Sequence, residues 1–162
     1  MPAPWVIAVA GAALAIVGVL LWRRWSVARS GAKRQAAMQG FSQRRPELAR
    51  EFLAAAAATG KPRGLRWKAC DLGEKVRFAV DRASGELFAL AAATVSFEAV
   101  EGGDMEEVEA VGNLRTVTAV FVHRNGDWTS DGRAVFNLEP DEVIERYRDT
   151  LRPAPLVSTG HE

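Results

Sequence analysis

The run from Trp5 to Trp22 holds eighteen residues without one charged side chain, and Arg23 and Arg24 follow at once. As a helix it would cover roughly 27 Å at 1.5 Å per residue, close to the ~30 Å hydrocarbon core of a bilayer. Few water-soluble folds can bury such a segment on every side, whereas lipid can. The sequence therefore predicts a single transmembrane helix over residues 5–22, preceded by a short extracytoplasmic N-terminus at 1–4.

Trp5 stands at one end of the run and Trp22 and Trp25 at the other. Indole combines an apolar body with an N–H donor, so it favours the headgroup boundary, and Trp at both ends fits two interfaces. With Arg23 and Arg24, these are the expected membrane-interface residues. Residues 1–4 contain no basic side chain, while Arg23, Arg24, Arg29, Lys33, Arg34, Arg44 and Arg45 precede the first acid, Glu47. The positive-inside rule then places the N-terminus outside and the rest of the chain in the cytoplasm. A cleavable signal peptide is the competing reading. It would need a basic n-region and a shorter apolar core, and Trp22 to Trp25 separates the small-residue sequence Ser26-Val27-Ala28 from the run.

Ala8, Gly11, Ala15 and Gly18 are spaced by three, four and three, which makes one stripe of small side chains on a helix. Such stripes let two membrane helices approach closely, so pairing with a second copy is an expectation here.

Charge divides the chain. Residues 1–59 hold eight basic and two acidic side chains, +6, and residues 60–162 thirteen basic and eighteen acidic, −5. A basic juxtamembrane segment, 23–45, suits a leaflet rich in anionic lipid headgroups. The acidic remainder makes nucleic acid a poor partner. The 23–45 segment is expected to continue the helix and to loosen around Gly31 and Gly40. A soluble domain over 46–151 and a disordered tail over 152–162, with two prolines and no periodicity, complete the expected division.

Within that domain Pro46 suits a first helical residue, and Leu48, Phe52, Ala55, Ala56 and Thr59 share one face before Gly60 and Pro62. Leu65, Trp67 and Ala69 alternate with Arg66, Lys68 and Cys70, a turn is expected at 71–74, and Val76, Phe78 and Val80 alternate again. The run 86–99 is apolar on both faces in its first half, which predicts a bulge or two-sided burial. Asn125-Gly126 is the preferred pair for a two-residue type I′ hairpin. Counted outward, His123 faces Trp128, Phe121 faces Ser130, Ala119 faces Gly132 and Val117 faces Ala134. A last helix is expected from Pro140, with Val143, Tyr147 and Leu151 at four-residue steps. The soluble part thus reads as α+β, a helix on an antiparallel sheet of about five strands with a C-terminal helix. The helix-then-meander order resembles the cystatin-like and nuclear-transport-factor-like architectures over roughly residues 46 to 150. The resemblance is one of topology, and no functional residue is carried over from it.

Chemistry-bearing patterns are sparse. His123 and His161 are the only histidines and Cys70 the only cysteine, so neither a nucleophile–base pair nor a paired-cysteine zinc pattern is legible. No phosphate-cradling glycine motif occurs. No catalytic residue, metal or cofactor is expected. Lys61, Arg63, Arg66 and Lys68 surround Trp67, but strand alternation separates Trp67 from Arg66 and Lys68. The densest polar cluster is Glu98, Glu101, Asp104, Glu106, Glu107 and Glu109. It lacks EF-hand spacing and reads as a solvated loop or a docking surface for a basic partner. The leading expectation is a non-enzymatic, membrane-anchored interaction or scaffold domain. The alternative is a small-molecule-binding or enzymatic domain with a pocket between the sheet and the first helix.

Overall fold

The computed structural model describes residues 4–59, 64–103, 105, 106, 108 and 112–155, with the backbone alone for 4–15 and 23–30. Helix α1 spans Pro4–Gln43 and helix α2 Arg45–Thr59. Strands β1 (Leu65–Asp81), β2 (Leu87–Ala99), β3 (Arg115–Arg124), β4 (Asp127–Thr129) and β5 (Ala134–Phe136) follow, then helix α3 (Pro140–Arg146) and strand β6 (Leu151–Pro153). The fold class is α+β, and the sheet has six antiparallel strands in the order β4-β3-β2-β1-β6, with β5 also paired to β3. The chain divides between Ala36 and Ala37, and residues Ala37–Leu156 form one compact unit. Among the described residues no helix is long and apolar enough to cross a membrane. Side chains 5–15 of the expected span lie outside the described ones.

Helix α1 does not loosen at Gly31 or Gly40. Each glycine costs a helix about 1 kcal/mol relative to alanine, but the last turns are held by burial of Met38 and Phe41 and by the Trp128 indole, whose Nε1–H donates to the Ala37 carbonyl at 2.8 Å. Pro46 ends α1, because a proline has no N–H to bond the Ser42 carbonyl. The chain restarts as α2 with the Arg44 carbonyl accepting from Glu47 and Leu48 at 3.0 and 2.9 Å. The Arg44 guanidinium ties this junction together through Glu47 at 3.0 Å, Glu51 at 3.2 Å and Asp127.

Leu48, Phe52 and Ala56, one residue per turn of α2, are buried against one face of the sheet. They meet Ala89, Ala91, Val95, Val117 and Phe121, while Phe41 closes the centre. The Phe41 ring stands edge-on to Phe78, Phe121 and Trp128 at 5.9, 5.3 and 5.1 Å.

The expected turn at 71–74 does not form. Instead β1 runs on as one strand, paired with β2 on both sides of an unpaired 73–75 segment, with register shifts between Trp67 and Ala69 and between Leu72 and Val76. The one-residue shift at Lys68 exchanges the faces, so Cys70 and Leu72 join Leu65 and Trp67 on the core side and Ala69 turns outward. Bulges bend a strand and raise its twist, and here they wrap β1 around the helices. They also blunt the free edge of β1, helped by Arg45, whose Nη2 donates to the Glu74 carbonyl at 2.6 Å.

In β2 the two-sided burial is real and the bulges lie in its partner. Leu87, Ala89 and Ala91 face α2, while Leu90 and the half-buried Phe88 face α3 on the other side. Asn125 and Gly126 take positive φ, 53° and 88°, and His123 pairs with Trp128. Beyond Thr129 the expected register fails: Val117 pairs with Phe136, not Ala134, and Ala119 with Ala134, not Gly132. The two-residue excursion keeps Val117, Phe121 and Trp128 on the α2 side because two steps restore strand parity. Its cause is Gly132, at φ 78°, where any Cβ would overlap the backbone of Ala55 and Ala56 in α2.

Helix α3 ends at Arg146 rather than near 151. Thr150 and Leu151 both donate to the Tyr147 carbonyl, at 2.9 and 2.7 Å, which closes the turn and launches β6. The expected tail begins inside this strand: Arg152 pairs with Val80 and Pro153 with Ala79, and Ala154 is buried with its N–H on the Phe78 carbonyl. A proline is tolerated there because β6 is an edge strand. Residues 156–162 of that tail lie outside the described residues.

The second face holds a smaller core of Ala79, Leu90, Val120 and Val143, bordered by Ile144 and Leu151. Thr118, the one buried polar side chain among the described residues, donates to the Leu138 carbonyl at 2.6 Å. Thr118→Val is expected to cost about 1–2 kcal/mol, because it leaves that carbonyl without a donor in a dry site. Chemical denaturation checks it, and a loss below ~0.5 kcal/mol would show that water replaces the hydroxyl.

Candidate functional site

The face between α2 and the sheet is filled. Phe52 packs on Trp67 and Phe121 at 6.0 Å each, and Trp67 lies 4.7 Å from Phe97. Two of the depressions bordered by described residues lie where α3 meets the opposite face of the sheet, because a seven-residue helix covers only part of it. A third, among Leu138, Glu142, Glu145 and Arg148, is a shallow polar hollow on the outside of α3.

The first is a groove of about 390 Å³ between α3 and the β1–β6 edge, with Val76, Ile144 and Ala154 as its apolar wall. Its charges are mutually engaged. Asp141 accepts from Arg77 Nε at 2.5 Å and lies 3.2 Å from Lys75 Nζ, and Glu139 meets the same lysine at 3.3 Å. Hydrogen bonds from Arg77 and then Lys75 hold the Asp141 carboxyl below the usual carboxylate range. The Glu142 carboxylate accepts from the Glu139 N–H at 2.7 Å and so closes the start of α3. These exposed pairs dock α3 on β1 and leave little free charge.

The second is a groove of about 320 Å³ beyond the C-terminal end of α3. Its floor is Phe88, Leu90, Val120, Val135, Val143 and Leu151, and its rim is formed by Arg133, Asp81, Tyr147 and Thr150. Asp81 closes the β1–β2 turn: its Oδ1 accepts from the N–H groups of Ala83 and Ser84 at 2.9 and 2.7 Å and from the Ser84 hydroxyl at 3.0 Å. Those bonds, Ser84's foremost, hold its carboxyl low and ionised. Arg133 is exposed and makes no ion pair among the described residues. Sequence patterning misses this groove because it depends on the early end of α3 and on the 130–133 excursion. The only legible hint is Gly132, whose role in a strand pattern is a bulge or a close approach.

The structure separates the residues expected to act. Gly18 has nothing within 4 Å of a would-be Cβ, and Trp22 is 69% exposed, while the side chains of Trp5, Ala8, Gly11, Ala15, Arg23, Arg24 and Trp25 lie outside the described ones. Of the acidic cluster, Glu98 belongs to β2 and pairs with Arg66 at 2.8 Å. Glu101 is exposed, and Glu106 accepts from the Gly102 N–H at 2.9 Å. Asp104, Glu107 and Glu109 lie outside the described residues. Among the described residues no three His, Cys, Asp or Glu side chains converge as metal ligands. His123 stacks edge-on to Trp128 at 5.1 Å, a cross-strand packing contact.

Cys70 faces the core, and burial, with Asp71 adding repulsion, pushes its thiol up to about 11. At pH 8 it is expected to react with a disulfide reagent at least roughly tenfold more slowly than a free cysteine, since little thiolate is present. A rate within twofold of free cysteine would overturn that placement.

No family model, curated protein or solved structure matches this chain.

Proposed function

We propose that this chain is a membrane-tethered, non-enzymatic interaction domain. In this reading α1 carries residues 5–22 through the bilayer with the N-terminus outside, the 23–45 segment lies against anionic lipid headgroups, and the α+β unit works in the cytoplasm. One observation carries it: a charge-free run within a continuous helix, whose described members Ile16, Val17, Val19, Leu20, Leu21 and Trp22 are all 51–69% exposed. So large an apolar helical surface is costly in water, at about 25 cal/mol per Å², and gains that back in hydrocarbon.

The partner is a protein with a basic surface, or a second copy. Supporting the first is the cluster of Glu101, Asp104, Glu106, Glu107 and Glu109; supporting the second is the Ala8, Gly11, Ala15 and Gly18 stripe. The cystatin-like outline stays a likeness of topology, consistent with a helix packed in a bent antiparallel sheet. The alternative, a ligand pocket between sheet and first helix, needs room where Phe41, Leu48, Phe52 and Ala56 now sit.

The test is flotation of the full chain with vesicles after a carbonate wash. Recovery at the top of the gradient supports the anchor, and intact chain left in the wash sinks it. Changing the five loop acids to Gln or Asn should then abolish partner recovery without releasing the chain from vesicles. Unchanged recovery would discard the loop as the docking surface.

A further inference from the structure

We infer that the 320 Å³ groove beyond α3 is a binding site for a medium-chain aliphatic carboxylate. The floor is wholly apolar, and its volume lies at the small end of ligand pockets, so it suits a slender chain and not a fused ring system. The rim supplies the orientation. Arg133 stands at the β5 end, level with Val120, whose N–H donates to the Arg133 carbonyl at 3.0 Å. Asp81 stands on β1, three strand spacings away, or about 14 Å across the sheet.

The two charges are not equivalent. One Asp81 oxygen is taken up by the turn it closes, and the ionised carboxyl repels an anion. Arg133 has no carboxylate partner among the described residues, and its planar fork matches one. A carboxylate head therefore belongs at Arg133, with the alkyl chain running over the half-buried Val135 and Phe88, above the buried Val120 and Leu90, toward α3. Tyr147, half exposed at the helix end, borders the path without closing it. The neighbouring 390 Å³ groove lacks this asymmetry, because Arg77 and Lys75 already hold Asp141 and Glu139.

This inference stands apart from the membrane reading. The full chain is titrated with octanoate while the methyl signals of Val120, Val135, Leu90 and Leu151 are followed by NMR. The chain is kept in phosphatidylcholine nanodiscs if it floats and in plain buffer if it does not. Saturable shifts confined to these methyls are expected, with affinity rising about fourfold per added methylene from hexanoate to octanoate. Arg133→Gln, an exposed change that leaves the fold intact, should weaken octanoate roughly tenfold and leave octanol unaffected. Val135→Trp, with folding confirmed by circular dichroism, should block both. Octylamine matching octanoate, octanoate binding unchanged in Arg133→Gln, or no saturation at all would each overturn the assignment.

Discussion

Gly132→Ala is expected to destabilise the Ala37–Leu156 unit by about 3–5 kcal/mol, a large share of the 5–15 kcal/mol typical of a domain. Two costs combine. Alanine at φ 78° leaves the allowed region for an L side chain, at roughly 1–3 kcal/mol. Its methyl would also occupy the space of the Ala55 and Ala56 backbone, and helix backbone cannot rotate aside as a side chain can. Overpacking of that kind adds typically 1–3 kcal/mol. Urea denaturation monitored at the tryptophans would measure the change. A loss below ~1 kcal/mol would mean that α2 can shift away from the 130–133 excursion at little cost.

Phe41→Ala should lose about 3–5 kcal/mol, the range for removing a fully buried ring. Phe41 contacts three aromatic rings at near-perpendicular angles, so the cavity opens between α1, β1, β3 and β4 at once. Phe41→Leu refills most of that volume and is expected to cost about 1–1.5 kcal/mol. The same denaturation series ranks the two variants, and near-ultraviolet dichroism should report the released Trp128. Equal losses for alanine and leucine would mean that ring geometry, not volume, sets the cost.

Local chemistry explains which parts of the fold could be read from sequence. Asn125-Gly126 announces its own hairpin because both residues tolerate positive φ, and the α2 face follows from three apolar residues at four-step spacing. Two-sided burial of β2 is visible in a stretch that never alternates. The bulges of β1 are not visible, since Lys68 and the 73–75 segment look like ordinary strand or turn residues until β2 fixes the pairing. Residues 71–74 carry an Asp and a Gly, as a turn would, yet Asp71 and Leu72 stay paired with Thr94 and Ala93, and Gly73 and Glu74 bulge out of the ladder before pairing resumes at Val76. Tyr147 and Leu151 fit the period of α3 but separate at its end, where Leu151 pairs with Asp81 instead. Gly31 and Gly40 suggest weak points in α1, which nonetheless runs unbroken through both, and at Gly40 the burial of Met38 and Phe41 overrides the glycine.

The same limits apply to function. Membrane-interface residues and an acidic loop can be proposed from composition because charge and hydropathy act locally. The groove beyond α3 brings together Asp81, Val120, Arg133 and Leu151, which lie up to seventy positions apart in sequence. Only the strand order makes them neighbours, so no linear pattern encodes the site.

The final turns of α1 have a practical corollary for anyone wishing to cut the chain. A fragment starting at Pro46, where helix propensity invites the knife, would discard Met38, Phe41 and the carbonyl that receives the Trp128 indole. Phe78, Phe121 and Trp128 would then face solvent across an empty seat, and aggregation is the expected fate of such a product. A fragment opening a turn or more upstream of Ala37 keeps the plug in place.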